Sequence, residues 1–503
     1  FPANLMADSS EFTLTLSPFP TLAFADSLRY LVRYPHGCLE QTTSRVFPLL
    51  YFSDLARNVE PMLAGDDAVN SYITAGITKL ESMLMSSHHF AYWPGGTYVN
   101  PWSSIYASHF LVEARKAGYE VSDRVYHAML EGLRKQAKRS RDQAAPPDNG
   151  KITSDISLAT YACYVLAAAG YPEKGMMHYL KNRGLGRLSH YSHFQLAGAF
   201  ALSGELETAL PMLPVSVSPT NIGKRETGGM LDSPIRAQAI MLDVLAEVNE
   251  NHPSIPTLVA NLNAAASAGN RWVTTQENAF AFLALGKIVK KQSNKDYTGT
   301  LMLNGEPFAN FDATDKRYTN TAWDGAQVQL TVQGEGSCYY YWTAFGIQRD
   351  SFIEEYEREL QVRRRYFNQN GEEHTRTFSH GDLIVAEITV KALTANLENV
   401  VVVDMLPAGF EIENPRLESR AGIPWLPALY RSGQGFKPDY IDIRDDRLIF
   451  FGTFPHQRER TFYYALRAVT QGEFTLPPIA VEAMYDATKS AVAGSMRIKV
   501  VAE

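Results

Sequence analysis

Cysteine is nearly absent. The chain has three in 503 residues, Cys38, Cys163 and Cys338, too few for a disulfide framework and unable all to pair with one another. Cys163 in YACYVL and Cys338 in SCYYYW sit in apolar settings and read as small buried hydrophobes. No apolar run reaches the roughly 18 residues that suggest a membrane span. The opening FPANLMADSS has neither a basic n-region nor an apolar h-region, so no signal peptide is visible. It runs straight into a strand-like EFTLTLS, and the expectation is a C-terminal fragment cut from a larger polypeptide. Basic residues are not in excess: 47 against 54 acidic, a net charge of −7, which leaves no footprint for nucleic acid. Metal-ligand spacings, phosphate loops and nucleotide fingerprints are missing too. What is present is 45% hydrophobic and 20% charged residues, a globular composition with room for roughly three domains.

Residues from about 20 to 290 read as helix after helix. In ISLATYACYVLAAAG, the residues Leu158, Tyr161, Ala162 and Val165 fall on one helical face, and Gly170 stands where a left-handed C-cap belongs. The phrase recurs at Gly118-Tyr119, Gly170-Tyr171 and Gly204: an alanine-rich helix end, a glycine, a new helix. About a dozen helical segments in short pairs predict a closed ring or a solenoid. From about 293 the pattern changes. Asn304-Gly305 and Asn370-Gly371 predict two-residue hairpins, and LIVAEITV, NVVVVDML, RLIFFGTF and TFYYALRAV read as strands. A change of character near Arg349 divides this part into two β units. EFTLTLS, isolated from other strands in sequence, is expected to pair with the first of them, which makes the helices an insertion within one β domain.

The densest chemistry lies in YPHGCLEQTTSRVFPLLYF. Cys38 is placed in the opening turn of a helix with Gln41 three residues on, and side chains so spaced are neighbours. The helix N-terminus favours a thiolate. A thiol beside a glutamine amide can be acylated by it with loss of ammonia, leaving an internal thioester that a nucleophile opens at the Gln41 carbonyl carbon. Chance supplies Gly-Cys-x-Glu-Gln in on the order of one chain in a thousand of this length. Alone, it would still read as a core cysteine at a helix start.

GCLEQ with its flanks resembles the thioester motif of the α2-macroglobulin and complement superfamily. RWVTTQENAFAFLAL, around Trp272 and Gln276, is similar to the close of that family's thioester-containing helical domain. GDLIVAEITV, VVDMLPAGFEIENP, IRDDRLIFF and FYYALRAVTQGEFTLPP resemble the last macroglobulin-like domain of the bacterial α2-macroglobulins. The resemblance implies a multidomain α and β fold: an α/α toroid inserted in a CUB-like β domain, followed by a macroglobulin-like antiparallel β-sandwich. Residues 1–18 and 293–349 would form the CUB-like domain, 19–292 the toroid and 350–503 the sandwich. It further implies an endopeptidase inhibitor and not an enzyme, a single-turnover trap in which a protease cleaves an upstream bait region and a lysine amine of that protease attacks the exposed thioester. Until then the bond needs a dry cover. Tyr34 can supply one wall, and Met484 and Tyr485 in AVEAMYDATKS, similar to the family's shielding edge, the other; plain sandwich packing is the competing reading of those two.

Complement-type members carry a histidine over a hundred residues after the cysteine, which transfers the acyl group to hydroxyls. SRDQAAPPDNGKITSDIS, the matching stretch, contains none; His109, His127 and His178 lie on either side and read as surface or satisfied histidines. Direct aminolysis is expected. The family also implies a periplasmic parent with an N-terminal lipid anchor and a penicillin-binding peptidoglycan synthase as partner. Target proteases are the implied covalent partners, with a monomer and no cofactor or metal expected. His88, His89, Trp93, Tyr98 and Trp102 suggest a sugar-stacking site but read better as ring packing, and Arg134 to Arg141 as a solvated basic helix end. Two other functions compete: a glycan-active toroid enzyme, which needs an acid/base pair that is not evident, and a thioester surface adhesin.

Overall fold

The computed structural model describes residues 6, 9–18, 22, 24–65, 67–139, 151–214, 216–217, 225–268, 271–289, 296–323, 325–347, 353–374, 376–413 and 435–502. The chain divides into two compact units: Phe1–Lys224 with Asp232–Asp350, and Arg225–Leu231 with Ser351–Glu503.

In the first unit the helices are α1 (Ala25–Arg33), α2 (Leu39–Val46), α3 (Ser53–Val59), α4 (Ala68–Ser82), α5 (Pro101–Lys116), α6 (Asp123–Arg139) and α7 (Lys151–Ala168). They continue with α8 (Lys174–Tyr179), α9 (His190–Leu202), α10 (Leu206–Ala209), α11 (Pro234–Val248), α12 (Ile255–Ser267) and α13 (Thr275–Val289). Helices α2, α5, α7, α9, α11 and α13 each pack on the next, and α13 returns to α2, so six helices close a ring. Outside it α4 lies on α2, α6 on α7, α10 on α9 and α12 on α11. Burial follows this division. Outer α6 buries one stripe, Val125, Tyr126, Met129, Leu130 and Leu133, as a surface helix does. Inner α7 is buried from Ile156 through Ala167, so the single face expected at Leu158, Tyr161, Ala162 and Val165 is corrected: neighbours on every side bury all of it. Its end is as anticipated. Gly170 has φ 83° and the Tyr171 N–H reaches back to the Leu166 carbonyl at 2.9 Å, a left-handed cap. Tyr119 to Ala114 and Glu205 to Phe200 repeat it.

The strands of this unit are β1 (Glu11–Ser17), β2 (Asp296–Leu303), β3 (Glu306–Asp312), β4 (Lys316–Asn320), β5 (Val328–Glu335) and β6 (Tyr339–Phe345). One antiparallel sheet runs β4-β1-β6 and the other β3-β2-β5. Between β1 and its partners, Thr319 and Thr343 opposite Thr13, the chain makes the whole ring. Phe12, Leu14 and Leu16 point to a core shared with Tyr297, Leu301, Phe311 and Trp323. The alternate residues Thr13, Thr15 and Ser17 are also buried, and Thr15 Oγ1 donates to the Asn58 carbonyl at 3.4 Å. The β2–β3 turn has positive φ at both Asn304 and Gly305, the geometry that Asn-Gly favours.

The second unit holds β7 (Tyr356–Arg358), β8 (Leu360–Phe367), β9 (Glu373–His374), β10 (Thr377–Ser379), β11 (Leu383–Ala392), β12 (Leu397–Met405) and β13 (Phe410–Ile412). It continues with β14 (Tyr440–Arg444), β15 (Arg447–Phe454), β16 (Glu459–Ala468), β17 (Gly472–Leu476), β18 (Ile479–Ala483), β19 (Asp486–Ala493) and β20 (Met496–Val501). Sheets β13-β16-β11-β8-β9 and β14-β15-β12-β18-β19-β7 share a core that includes Val362, Ile388, Val402, Phe450, Phe462 and Val481. Arg364 of one sheet pairs with Asp404 of the other, both buried. Tyr464 Oη donates to Asp404 at 2.6 Å, and Arg364 also donates to the Pro477 and Gly494 carbonyls. With these bonds made, the buried charges are satisfied. The two-residue hairpin expected at Asn370-Gly371 is corrected: Phe367 pairs with Glu373, leaving a five-residue loop. Asn368 Oδ1 accepts from the backbone of Asn370 and Glu372, and that side-chain turn widens the connection. Arg225–Leu231 groups with this unit, and Asn399 Nδ2 donates to the Thr227 carbonyl at 2.7 Å.

Candidate functional site

Cys38 is the N-cap of α2, with extended φ −66° and ψ 173°, one residue ahead of the helical turn in which it was expected. Its Sγ accepts from the Gln41 N–H at 3.4 Å, and Gln41 Oε1 accepts from the Cys38 N–H at 3.2 Å. This is a capping box with cysteine in place of serine or threonine and glutamine at the third position. It turns the two side chains toward each other across one turn, and both residues are 0% exposed. The arrangement suits acyl transfer. Attack of Sγ on the Gln41 carbonyl carbon moves charge onto Oε1, where the Cys38 N–H already donates.

The surroundings fix α2. Glu40, fully buried, accepts from Ser44 Oγ at 2.6 Å and from Thr275 Oγ1 at 2.9 and 3.0 Å. It thereby ties the motif to the first residue of α13 and closes the ring there. The Leu39 N–H donates to the Tyr92 carbonyl at 2.8 Å, so the loop after α4 meets the start of α2. Sequence reasoning passed over the roles of Glu40, Thr275 and Tyr92. The glutamate stood inside the motif as a signal, whereas its partner lies 235 residues away.

Tyr34 is buried. It caps the C-terminus of α1 and packs edge-on against Tyr30 and His36, with ring centres at 5.3 and 5.4 Å. Residues 34–37 are non-helical, so Tyr34 precedes Cys38 along an extended connection and not one turn below it. In the second unit Met484 and Tyr485 form the two-residue turn between β18 and β19, where Ala483 pairs with Asp486. Their relative exposures are 4% and 2%, unusual for a hairpin turn.

The remaining candidates scatter. His127 bonds the Asp123 carbonyl at 2.8 Å on an exposed face, and His178 pairs with Glu205 at 3.1 Å. Trp102 stacks on Tyr106 inside the ring, whereas Tyr98 is 61% exposed and packs edge-on against Tyr92, so the aromatic cluster is divided. His88 and His89 lie on the loop after α4. Arg134 pairs with Glu131 and Glu173, and Lys138 with Glu173; Arg141 and the loop after it lie outside the described residues. Trp272 Nε1 donates to the Leu262 carbonyl, and Gln276 accepts from Arg236. Burial pushes the Cys163 thiol up to about 12, where it is inert at neutral pH. Among the described residues no group of three His, Cys, Asp or Glu is placed to hold a metal, and no helix is long and apolar enough to cross a membrane.

His109 is enclosed by Phe47, Tyr161 and Tyr164, and Nδ1 lies 3.1 Å from Tyr161 Oη. Burial lowers its pKa from 6.5 to about 4; Glu113 opposes this, and Lys287 and Lys116 add to it. As pH falls through 6.5 the unfolded chain takes up this proton and the folded chain does not, so stability drops until about pH 4. The loss over that window is roughly 3 kcal/mol. His109→Gln should flatten the fall of the urea midpoint between those pH values relative to the parent. Parallel profiles would show that the ring does not hold His109 neutral.

Residues 360–487 match the bacterial alpha-2-macroglobulin MG10 domain. The alpha-2-macroglobulin of Xylella fastidiosa (strain Temecula1) is 26% identical over 98% of this chain and 30% of its own length, so the chain spans about 30% of that curated relative. The crystal structure of native Escherichia coli alpha-2-macroglobulin from domain MG7 to the C-terminus superposes with a TM-score of 0.80 at 25% identity, covering 100% of this chain and 79% of that one. The structure of Salmonella alpha-2-macroglobulin reacted with methylamine gives 0.80 at 26%, covering 99% of this chain and 32% of that one. The chain is similar over nearly its whole length to the bacterial alpha-2-macroglobulins, and its fold matches the part of the Escherichia coli protein that runs from domain MG7 to the C-terminus.

Proposed function

We propose that this chain carries the reactive part of a covalent protease trap. The observation that carries the reading is the reciprocal Cys38–Gln41 pair, fully buried at the head of α2. The Cys38 thiol adds to the Gln41 carbonyl carbon, the C–N bond breaks, and ammonia leaves, giving a thioester. When the bond is uncovered, a lysine amine of a protease adds to the same carbon and the C–S bond breaks. The sulfur departs as thiolate, the amine gives up a proton to solvent, and an amide joins Gln41 to the protease. That the homologous Salmonella protein has been reacted with methylamine supports an amine-reactive centre. Tyr34, Met484 and Tyr485 are the proposed apolar cover. Large apolar residues at the β18–β19 turn supply no turn chemistry, and a releasable contact is a use for a flexible methionine.

The parent protein is proposed to lie in the periplasm, anchored through an N-terminal lipid, to present an upstream bait region to proteases, and to associate with a penicillin-binding peptidoglycan synthase. Nucleophile choice tests the reaction. His127 and His178 are engaged at the surface and His109 is enclosed by aromatic rings, so none is proposed as a relay to hydroxyls. Methylamine should label Gln41 at least about a hundredfold faster than glycerol at equal concentration, by the 10²–10⁴ that a missing general base forfeits for a hydroxyl. Comparable labelling by both would contradict direct aminolysis.

A further inference from the structure

The stretch Arg225–Leu231 lies in sequence between α10 and α11, yet it folds with the β-sandwich unit. It is gripped there by β12, at a point where the strand ladder breaks. Leu397 pairs with Phe454 and Val400 with Gly452, so Glu398 and Asn399 together oppose the single residue Thr453. Such a bulge re-aims side chains, and here both residues turn to the strap. The Glu398 N–H donates to Thr227 Oγ1 at 3.4 Å, and Asn399 Nδ2 donates to the Thr227 carbonyl at 2.7 Å. Gly228 follows, and a Cβ there would collide with the Glu398 carboxylate.

Both halves of this grip hold left-handed backbone at residues other than glycine. Asn399 has φ 52°, and Leu231, at the end of the strap, has φ 56°. Leu231 is buried and closes a turn, its N–H donating to the Gly228 carbonyl at 2.9 Å. Such conformations persist only where the surroundings fix them. Asn399 also faces the turn that holds Met484. Val400 pairs with Ala483 of β18, and one step further the Asn399 carbonyl accepts from the Met484 N–H at 3.1 Å. On its other side that turn is less firmly laddered. Ala483 pairs with Asp486 but Glu482 with Ser490, so residues 487–489 lie outside the β18–β19 register. One residue therefore grips the strap with its side chain and the Met484–Tyr485 turn with its backbone.

We infer that Arg225–Leu231 is a strap clasped by Asn399, and that this clasp keeps the Met484–Tyr485 turn in its covering conformation and so sets how fast an amine reaches the thioester. The inference rests on the trap reading above. With the Nδ2 bond made, the Asn399 backbone is held in the left-handed region and its carbonyl stays aimed at the Met484 N–H. Without that bond Asn399 is free to relax toward the extended region that side chains prefer, which swings the carbonyl away from the turn. One net hydrogen bond is enough to change an open population several-fold. Asn399 is a positioning residue: it acts through the turn and takes no part in the bonds made and broken at Gln41.

Two readouts test the clasp: amide hydrogen exchange of the segments 225–231 and 480–486, and methylamine-driven thiol release at Cys38. Asn399→Gly leaves left-handed backbone accessible and deletes the side-chain bond; Asn399→Asp sets an acceptor against the Thr227 carbonyl. Thr227→Ala works from the strap side and leaves β12 untouched. Asn399→Gly should speed exchange in both segments, and thiol release, by about three- to tenfold, with the circular dichroism spectrum unchanged. Asn399→Asp should do at least as much, and Thr227→Ala should act in the same direction. Ile388→Val, in the sandwich core, is the control. It should lower the urea midpoint and leave exchange in both segments and thiol release as in the parent. Release as fast from Ile388→Val as from the Asn399 variants would trace the effect to general loosening and overturn the inference. So would parental exchange and release in the Asn399 variants, or faster exchange with release unchanged. The exchange arm needs no thioester. A parent chain that took up no methylamine would count against the trap, and the exchange profiles would then decide whether Asn399 couples strap to turn.

Discussion

A Cys38→Ser chain is expected to keep its full sequence mass and to take up no methylamine, while folding as the parent does. Serine is a good N-cap and preserves the capping box, so α2 loses no partner: the hydroxyl accepts from the Gln41 N–H as Sγ does at 3.4 Å. What disappears is the soft nucleophile. A serine hydroxyl beside an amide has no activated form at neutral pH without a general base, and none lies within the pair. Gln41→Met should give the same total loss from the other side, since it removes the acyl carbon and leaves a free thiol. Methylamine incorporated into either variant would place the electrophile elsewhere in the chain.

The second large effect concerns access. Tyr34 and Met484 are both buried, and truncating such side chains costs about 2–5 kcal/mol in a core, less where the surroundings relax. Reaction of a covered bond follows its exposed population, and about 1.4 kcal/mol in favour of the open form raises that population roughly tenfold. Tyr34→Ala and Met484→Ala are therefore each expected to speed methylamine-driven thiol release at Cys38 by about tenfold or more, with spontaneous hydrolysis rising in step and the circular dichroism spectrum unchanged. If neither variant altered thiol release, the cover would have to come from elsewhere, the loop at Tyr92 being the first candidate.

The parts of this molecule that were legible in its sequence are those encoded over a few residues. Glycines at 118, 170 and 204 mark helix ends because the left-handed cap needs no more than one helical turn and a residue without Cβ. Asn304-Gly305 marks its hairpin for the same reason. The Cys38–Gln41 spacing announces a pair because a capping box closes over three residues. What was not legible depends on partners distant in sequence. The all-round burial of α7 follows from its place inside the ring, not from its own pattern. Asn370-Gly371 has the letters of a tight turn, and Asn368 overrides them with a side-chain bond. Met484-Tyr485 carries no turn residue at all, yet β18 and β19 pair around it.

A covalent bond between Cys38 and Gln41 can be read from the intact mass of freshly purified native chain. A bonded pair gives a mass below the sequence mass by one ammonia, no alkylation of Cys38 under native conditions, and, after methylamine, a gain of one methylamine on Gln41 with one new thiol at Cys38. A native chain at full sequence mass, unchanged by methylamine and with Cys38 a free thiol from the start, would contradict it.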